Sequence, residues 1–74
     1  MIRVPSLRRR VGGSIRYWRE YHGWTQEKLG RLAGVKGCHV AHYEASRRMP
    51  ALENLIALAE ALGVTLDQLT GRQA

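Results

Sequence analysis

Apolar positions recur along this chain at helical spacing, and apolar/polar alternation nowhere persists long enough to predict a strand. Leu7, Val11, Ile15 and Trp18 follow one another at steps of four, four and three, which predicts a first helix with Ser6 as its N-cap. Gly12-Gly13 interrupt that stripe, each costing a helix about 1 kcal/mol relative to alanine. The firm part is therefore expected from Ser14 to Tyr21, with Gly23 as the stop. Thr25 caps a second helix, Glu27 sits in its first turn where the helix dipole favours an acid, and Gly34 ends it. Leu29, Leu32 and Ala33 are its expected inward face. After a short turn sealed by Val35, a third helix runs from about Gly37 to Glu44 with Val40 and Tyr43 inward. Lys36, Gly37, Cys38, His39, Ala41 and His42 are left mostly outward.

Met49-Pro50 belongs to a loop, because the residue before proline resists helix. Leu52, Leu55, Ile56, Ala59 and Leu62 then predict an amphipathic fourth helix, stopped by Gly63. Thr65-Leu66-Asp67-Gln68 has the spacing of a capping box and starts a short fifth helix. The expectation is an all-α, compact five-helix domain with no internal repeat.

Length bounds that picture: 74 residues make one small domain, whose core must be efficiently packed. A hydrophobic share of 45% supports a globular fold over disorder. No apolar run reaches the roughly 18 residues a membrane span needs, so no membrane partner is expected. The arginine-bearing start lacks the apolar stretch of a secretory signal. A single cysteine forms no internal disulfide and suits a reducing, cytoplasmic setting.

Charge changes the picture most. Residues 1–48 carry eleven lysines and arginines against three acids, a net +8, whereas residues 49–74 carry one against three, a net −2. A basic front and a mildly acidic back point to a polyanionic partner on one side and a packing or partner face on the other. The alternative on charge alone is a solvated basic surface with no partner.

Two short helices joined by a tight glycine turn, Gln26 to Tyr43, have the form of a helix-turn-helix. Gly30 is the small residue where the helices cross, Gly34 takes the turn, and Val40 and Tyr43 lock the second helix from beneath. The pieces TQEKL, LAGV, the YE ending the third helix, R-x-P before an amphipathic helix, and LGVTLDQL occur in order. From Val11 to Gly71 the chain resembles the lambda-repressor/Cro-type (XRE) helix-turn-helix family. The resemblance implies a lambda-repressor-like DNA-binding domain over 11–71, a basic N-terminal arm or loose first turn over 1–10, and a tail over 72–74.

It further implies that the third helix enters the major groove of double-stranded DNA. Gly37, Cys38, His39 and His42 would then read bases, and Gln26, Lys36, Arg47 and Arg48 would meet phosphates, with Arg8, Arg9 and Arg10 as a basic arm. DNA binding by such modules usually needs two copies, so a homodimer through Leu66 and Leu69 is expected, on an inverted-repeat operator. The chain departs from the family at Gly37-Cys38-His39, where serine, arginine, threonine or glutamine is usual. It departs again at Ser46 and Ala51, where glycine and a capping residue are usual, and at Gly30, where alanine is.

The cysteine and histidines of KGCHVAHYE could instead hint at metal. Cys38 and His42 could supply two zinc ligands, but His39 points about a hundred degrees away from Cys38 and His22 ends the first helix. A DNA-reading edge is the better account. Trp18 and Trp24 are expected in the core, Tyr17 and Tyr21 at the surface, and Glu44 in a local pair with Arg47 or Arg48. There is no phosphate-cradling glycine loop, carboxylate pair or activated nucleophile, so neither an enzyme, a small-molecule substrate nor a cofactor is expected. Two readings stand: a sequence-specific transcriptional regulator, most simply a repressor, and an antitoxin-type module that binds a protein partner and also represses its own promoter.

Overall fold

Side-chain caps and glycines divide the chain where the spacing predicts. Thr25 and Thr65 accept from the backbone N–H groups of Lys28 and Gln68, at 3.0 and 3.1 Å, and Ser6 accepts from Arg9 at 3.3 Å. Gly23, Gly34 and Gly63 end their helices in the left-handed conformation. In this computed structural model residues 6–71 are described. They form α1 (Leu7–His22), α2 (Gln26–Ala33), α3 (Gly37–Glu44), α4 (Leu52–Leu62) and α5 (Leu66–Leu69), with no strand among the described residues. The capping box at Thr65 is complete, since the Gln68 side chain also accepts from the Thr65 N–H at 2.9 Å. The first five residues of the expected arm and the 72–74 tail lie outside the described residues.

Three expectations about faces are corrected. First, α1 is one continuous helix from Leu7, so Arg8, Arg9 and Arg10 stand in regular helix and not in an arm or loose turn. Gly12 is no break: it is buried where α1 crosses the end of α3, and a Cβ there would run into the Tyr43 carbonyl oxygen. Second, the buried arc of α4 is Leu55, Leu58, Ala59 and Leu62, whereas Leu52 is 67% exposed and Ile56 also faces out. A helix written LENLIALAEAL is apolar almost all round, so spacing alone leaves its rotation open, and the neighbours α1, α2 and α5 settle it. Third, Leu32 on α2 is exposed, and Leu29 carries that helix's contact with the core.

The core joins Val11 and Ile15 of α1, Leu29, Val40 and Tyr43, the four α4 residues, and Leu69 of α5. Trp18, Trp24 and Val35 are half-buried against it. His22 clamps the α1 end to α4: its Nε2 lies 2.8 Å from the Leu62 carbonyl oxygen and its ring stacks on Trp24 at 4.2 Å. No helix among the described residues is long and apolar enough to cross a membrane.

The loop after α3 carries a strain that the sequence flagged. Ser46 has φ of 62°, a left-handed conformation that costs a residue with a Cβ about 1 kcal/mol or more. Ser46→Gly is expected to raise the unfolding free energy by about 0.5–1 kcal/mol, read as a shift in the urea midpoint at constant slope. A neutral or destabilising result would mean that the Ser46 hydroxyl contributes more than the backbone strain costs.

Candidate nucleic-acid interface

The pairing of α2 with α3 is built by small residues. At Gly30 a Cβ would collide with the Val35 carbonyl oxygen, and the Val35 N–H donates to the Gly30 carbonyl at 2.7 Å, closing the turn tightly. Val40 and Tyr43 then anchor α3 from beneath, as expected, and Tyr43 OH accepts from Asn54 Nδ2 at 3.4 Å. What α3 offers outward follows from that seating. Cys38 is exposed and its thiol is free. His39 and His42 are half-buried and three residues apart, which puts them side by side on one helical face.

Gly37 plays a different part from the one expected. It is half-buried in the first turn of α3, and a Cβ there would stand 3.1 Å from Glu27 Cγ and 3.2 Å from Glu27 Cα. It lets the start of α3 close onto the start of α2 and has no side chain with which to read a base. Lys36, the N-cap residue, makes no side-chain cap, and its exposed chain is left to the solvent side. Arg47 and Arg48 are exposed just past the other end of α3, with the Arg47 N–H anchored on the His42 carbonyl at 2.9 Å. Cations therefore flank α3 at both ends.

Glu44 does not pair with Arg47 or Arg48. It receives a forked bond from Arg19, Nε to Oε2 at 2.6 Å and Nη2 to Oε1 at 2.9 Å, while Arg19 Nη1 donates to the Trp24 carbonyl at 2.7 Å. Gln26 Nε2 adds a bond to Glu44 Oε1 at 3.2 Å. Register explains the exchange, because Glu44 at the end of α3 points back at α1 and away from the following loop. The pairing raises the Arg19 pKa, chiefly through the hydrogen bond with Glu44, with burial opposing and the Glu44 and Glu20 charges adding. Arginine ionises far above neutrality already, so a raised value keeps the guanidinium charged throughout the neutral range.

Nothing local in the sequence signals a pair 25 residues apart. Its consequence is that α3's one acid is neutralised internally and Gln26 is held in place at the start of α2. Arg16, also unremarked in the sequence, borders the same groove between α1, α2 and α3, with Gln26, Ala41 and Ala45; the groove encloses about 280 Å³.

The other expected cations separate. Arg8 precedes Gly12 by one turn and so lies on the α3 side of α1, exposed. Arg9 is exposed as well. Arg10 instead lies against Gly71 at the end of α5, with its Nε buried and unpartnered among the described residues. At the expected dimer surface the two leucines also part: Leu66 is 39% exposed, but Leu69 is wholly buried in the core and has no surface to offer a second copy. The α5 turn is so short that one leucine must pack inward to hold it.

A family model described as Helix-turn-helix matches residues 15–69. A hypothetical transcription factor of Neisseria meningitidis is 38% identical over 64 residues, covering 86% of this chain and 60% of that protein. The chain spans between 45% and 60% of the length of the first curated relatives it matches. Among solved structures, the restriction-modification controller protein C.AhdI from Aeromonas hydrophila superposes with a TM-score of 0.80 at 31% identity, covering 84% of this chain and 94% of that one. The P22 c2 repressor, solved in complex with a synthetic operator, gives a TM-score of 0.77 at 36% identity over 80% of this chain and 89% of the repressor.

Proposed function

Because the chain belongs to the helix-turn-helix family, we propose that it is a transcriptional regulator that binds double-stranded DNA sequence-specifically, with α3 in the major groove, and represses by occupying an operator. One observation carries this reading: the outward edge of α3 is flanked by Lys36 at one end and Arg47 and Arg48 at the other, while its one acid is turned inward onto Arg19. Such a face, with more cations than acids along it, attracts phosphates. In this arrangement Cys38, His39 and His42 meet base edges. Lys36, Arg47, Arg48, Arg8 and Arg9 meet phosphates, joined by Gln26 and by Arg16 beside it. A homodimer through the C-terminal region, where Leu66 is exposed, would place two copies of α3 about one DNA turn apart on an inverted repeat.

Selecting bound duplexes from a random DNA library at near-physiological salt tests this. An enriched inverted repeat is the expected result; binding without enrichment would reduce the chain to a non-specific binder, and no binding would favour a protein partner. On the selected operator the contacts should divide. Replacing His39 and His42 with alanine should weaken operator binding by about tenfold or more and leave random-DNA binding nearly unchanged. Arg47→Ala and Arg48→Ala should weaken both together, each lowering the log–log salt slope by about 0.9 per protomer. Equal losses on all DNA from every substitution would contradict that division.

A further inference from the structure

We propose that the face of α1 turned away from α3 is a docking cleft for an acidic segment of a partner protein, open whether or not the chain holds DNA. The inference goes beyond the regulator reading and does not depend on it. Between α1 and the end of α5 lies a cleft of about 620 Å³. Its floor is low at Gly13, where an added Cβ would meet nothing within 4 Å. Arg10 stands at one end with Arg9 on the rim, Tyr17 and Trp18 stand at the other, and Gln68 and Gly71 of α5 close the side. The two ends are about two helical turns apart, roughly 10 Å.

Gly12 and Arg19 carry contacts of α1 with α3. At about 100° per residue, Arg10 and Tyr17 lie roughly 140–180° round the helix axis from both. The cleft therefore opens on the far side of α1 from the reading edge, and DNA on α3 does not cover it.

Its composition points to the occupant. Among the described residues no carboxylate lines it: Asp67 beside Gln68 is not part of its walls, and Glu20 is paired with Arg16 at 3.5 Å. Neither Arg9 nor Arg10 has an ion-pair partner among the described residues, and Arg10 Nε is buried there without an acceptor. The cleft thus holds uncompensated positive charge of the kind whose planar fork matches a carboxylate. Beyond the arginines the surface is aromatic. Tyr17 and Tyr21 are 62% and 71% exposed, and each stands edge-on against half-buried Trp18, at 5.0 and 5.6 Å. Rings braced in this way lose little freedom on binding, and arginine, tyrosine and tryptophan carry much of the energy of protein interfaces. A single nucleic-acid strand fits less well, because it needs cations along its whole track, and here they stand at the Arg10 end. The matching occupant is a short peptide with Asp or Glu facing Arg10 and an apolar side chain over Tyr17 and Tyr21.

The test is selection of binders from a display library of short random peptides, followed by fluorescence anisotropy of the enriched sequences on the protein. Peptides rich in Asp and Glu that also carry an aromatic or aliphatic residue are expected. Three substitutions away from the DNA face locate the site. Gly13→Gln fills the floor while favouring helix, Arg10→Met keeps the stem and removes the charge, and Tyr17→Ser removes an exposed ring. Each should weaken peptide binding by about tenfold or more, with thermal melts showing that Gly13→Gln is no less stable than wild type. Arg47→Ala/Arg48→Ala should leave peptide binding nearly unchanged, and saturating operator duplex should not displace the peptide. No enrichment, enriched peptides without acids, binding that survives the three substitutions, or displacement by the operator would overturn the inference and leave the regulator reading intact. An oligothymidylate strand bound by wild type and lost in Gly13→Gln would put nucleic acid in the cleft and overturn it as well. A duplex library without enrichment would sink the regulator reading alone, because the peptide selection and the cleft substitutions need no operator.

Discussion

Glu44→Ala is expected to destabilise the domain by about 3–5 kcal/mol, a large fraction of the roughly 5–15 kcal/mol that holds a domain folded. The side chains of Arg19 and Glu44 are 14% and 5% exposed, so the guanidinium left behind would be a mostly buried charge whose remaining partner is the Trp24 carbonyl. That uncompensated charge, more than the lost attraction, sets the cost: a buried pair replaced whole by apolar residues is often neutral. Gln26 would lose its anchor as well. Urea denaturation of Glu44→Ala, Arg19→Ala and the double variant checks the argument. The double variant should be little worse than either single, a coupling that independent, distant sites do not show. Losses that simply add, or a loss below about 1 kcal/mol for Glu44→Ala, would place the strength of the α1–α3 junction elsewhere.

The same substitution at two neighbouring glycines should act in opposite directions. Gly12→Ala puts a methyl group into the Tyr43 carbonyl oxygen, 3.1 Å from Ser46 Oγ and 3.2 Å from the Glu44 carbonyl oxygen. Two of those three atoms are backbone, so α1 and α3 must move apart, at a cost of about 1–3 kcal/mol or more. At Gly13 an added Cβ meets nothing within 4 Å, and alanine should stabilise α1 by about 0.5–1 kcal/mol through helix propensity. For a domain of this size each kcal/mol moves Tm by about 4–8 °C, so thermal melts of the two variants should diverge widely on either side of wild type. Stabilisation by both would show that the crossing of α1 over α3 is looser than its geometry indicates.

The glycine pair also marks the limit of what local spacing determines. Glycine lowers helix propensity wherever it stands, and on that basis alone Gly12-Gly13 reads as a weak start. Only the approach of α3 makes one of them necessary and the other dispensable. Helix α4 has the same ambiguity in another form. Its apolar residues spread around the axis, so the sequence establishes that it is a helix and leaves open whether Leu58 or Leu52 faces the core.

By itself the sequence determined the five helices, their caps, the tight α2–α3 turn and the outward edge of α3. These are set by contacts within one or two turns of chain, where propensity, capping and periodicity act. It also located the basic half of the molecule, because charge is additive along the chain. The tertiary structure decided the rest: the Arg19–Glu44–Gln26 bonding, the seat of Gly37 against Glu27, the burial of Leu69, and the departure of Arg10 from the other cations toward α5. Each depends on which helix faces which across distances of many residues. That choice follows from packing a whole core at once, and no short stretch of sequence contains it.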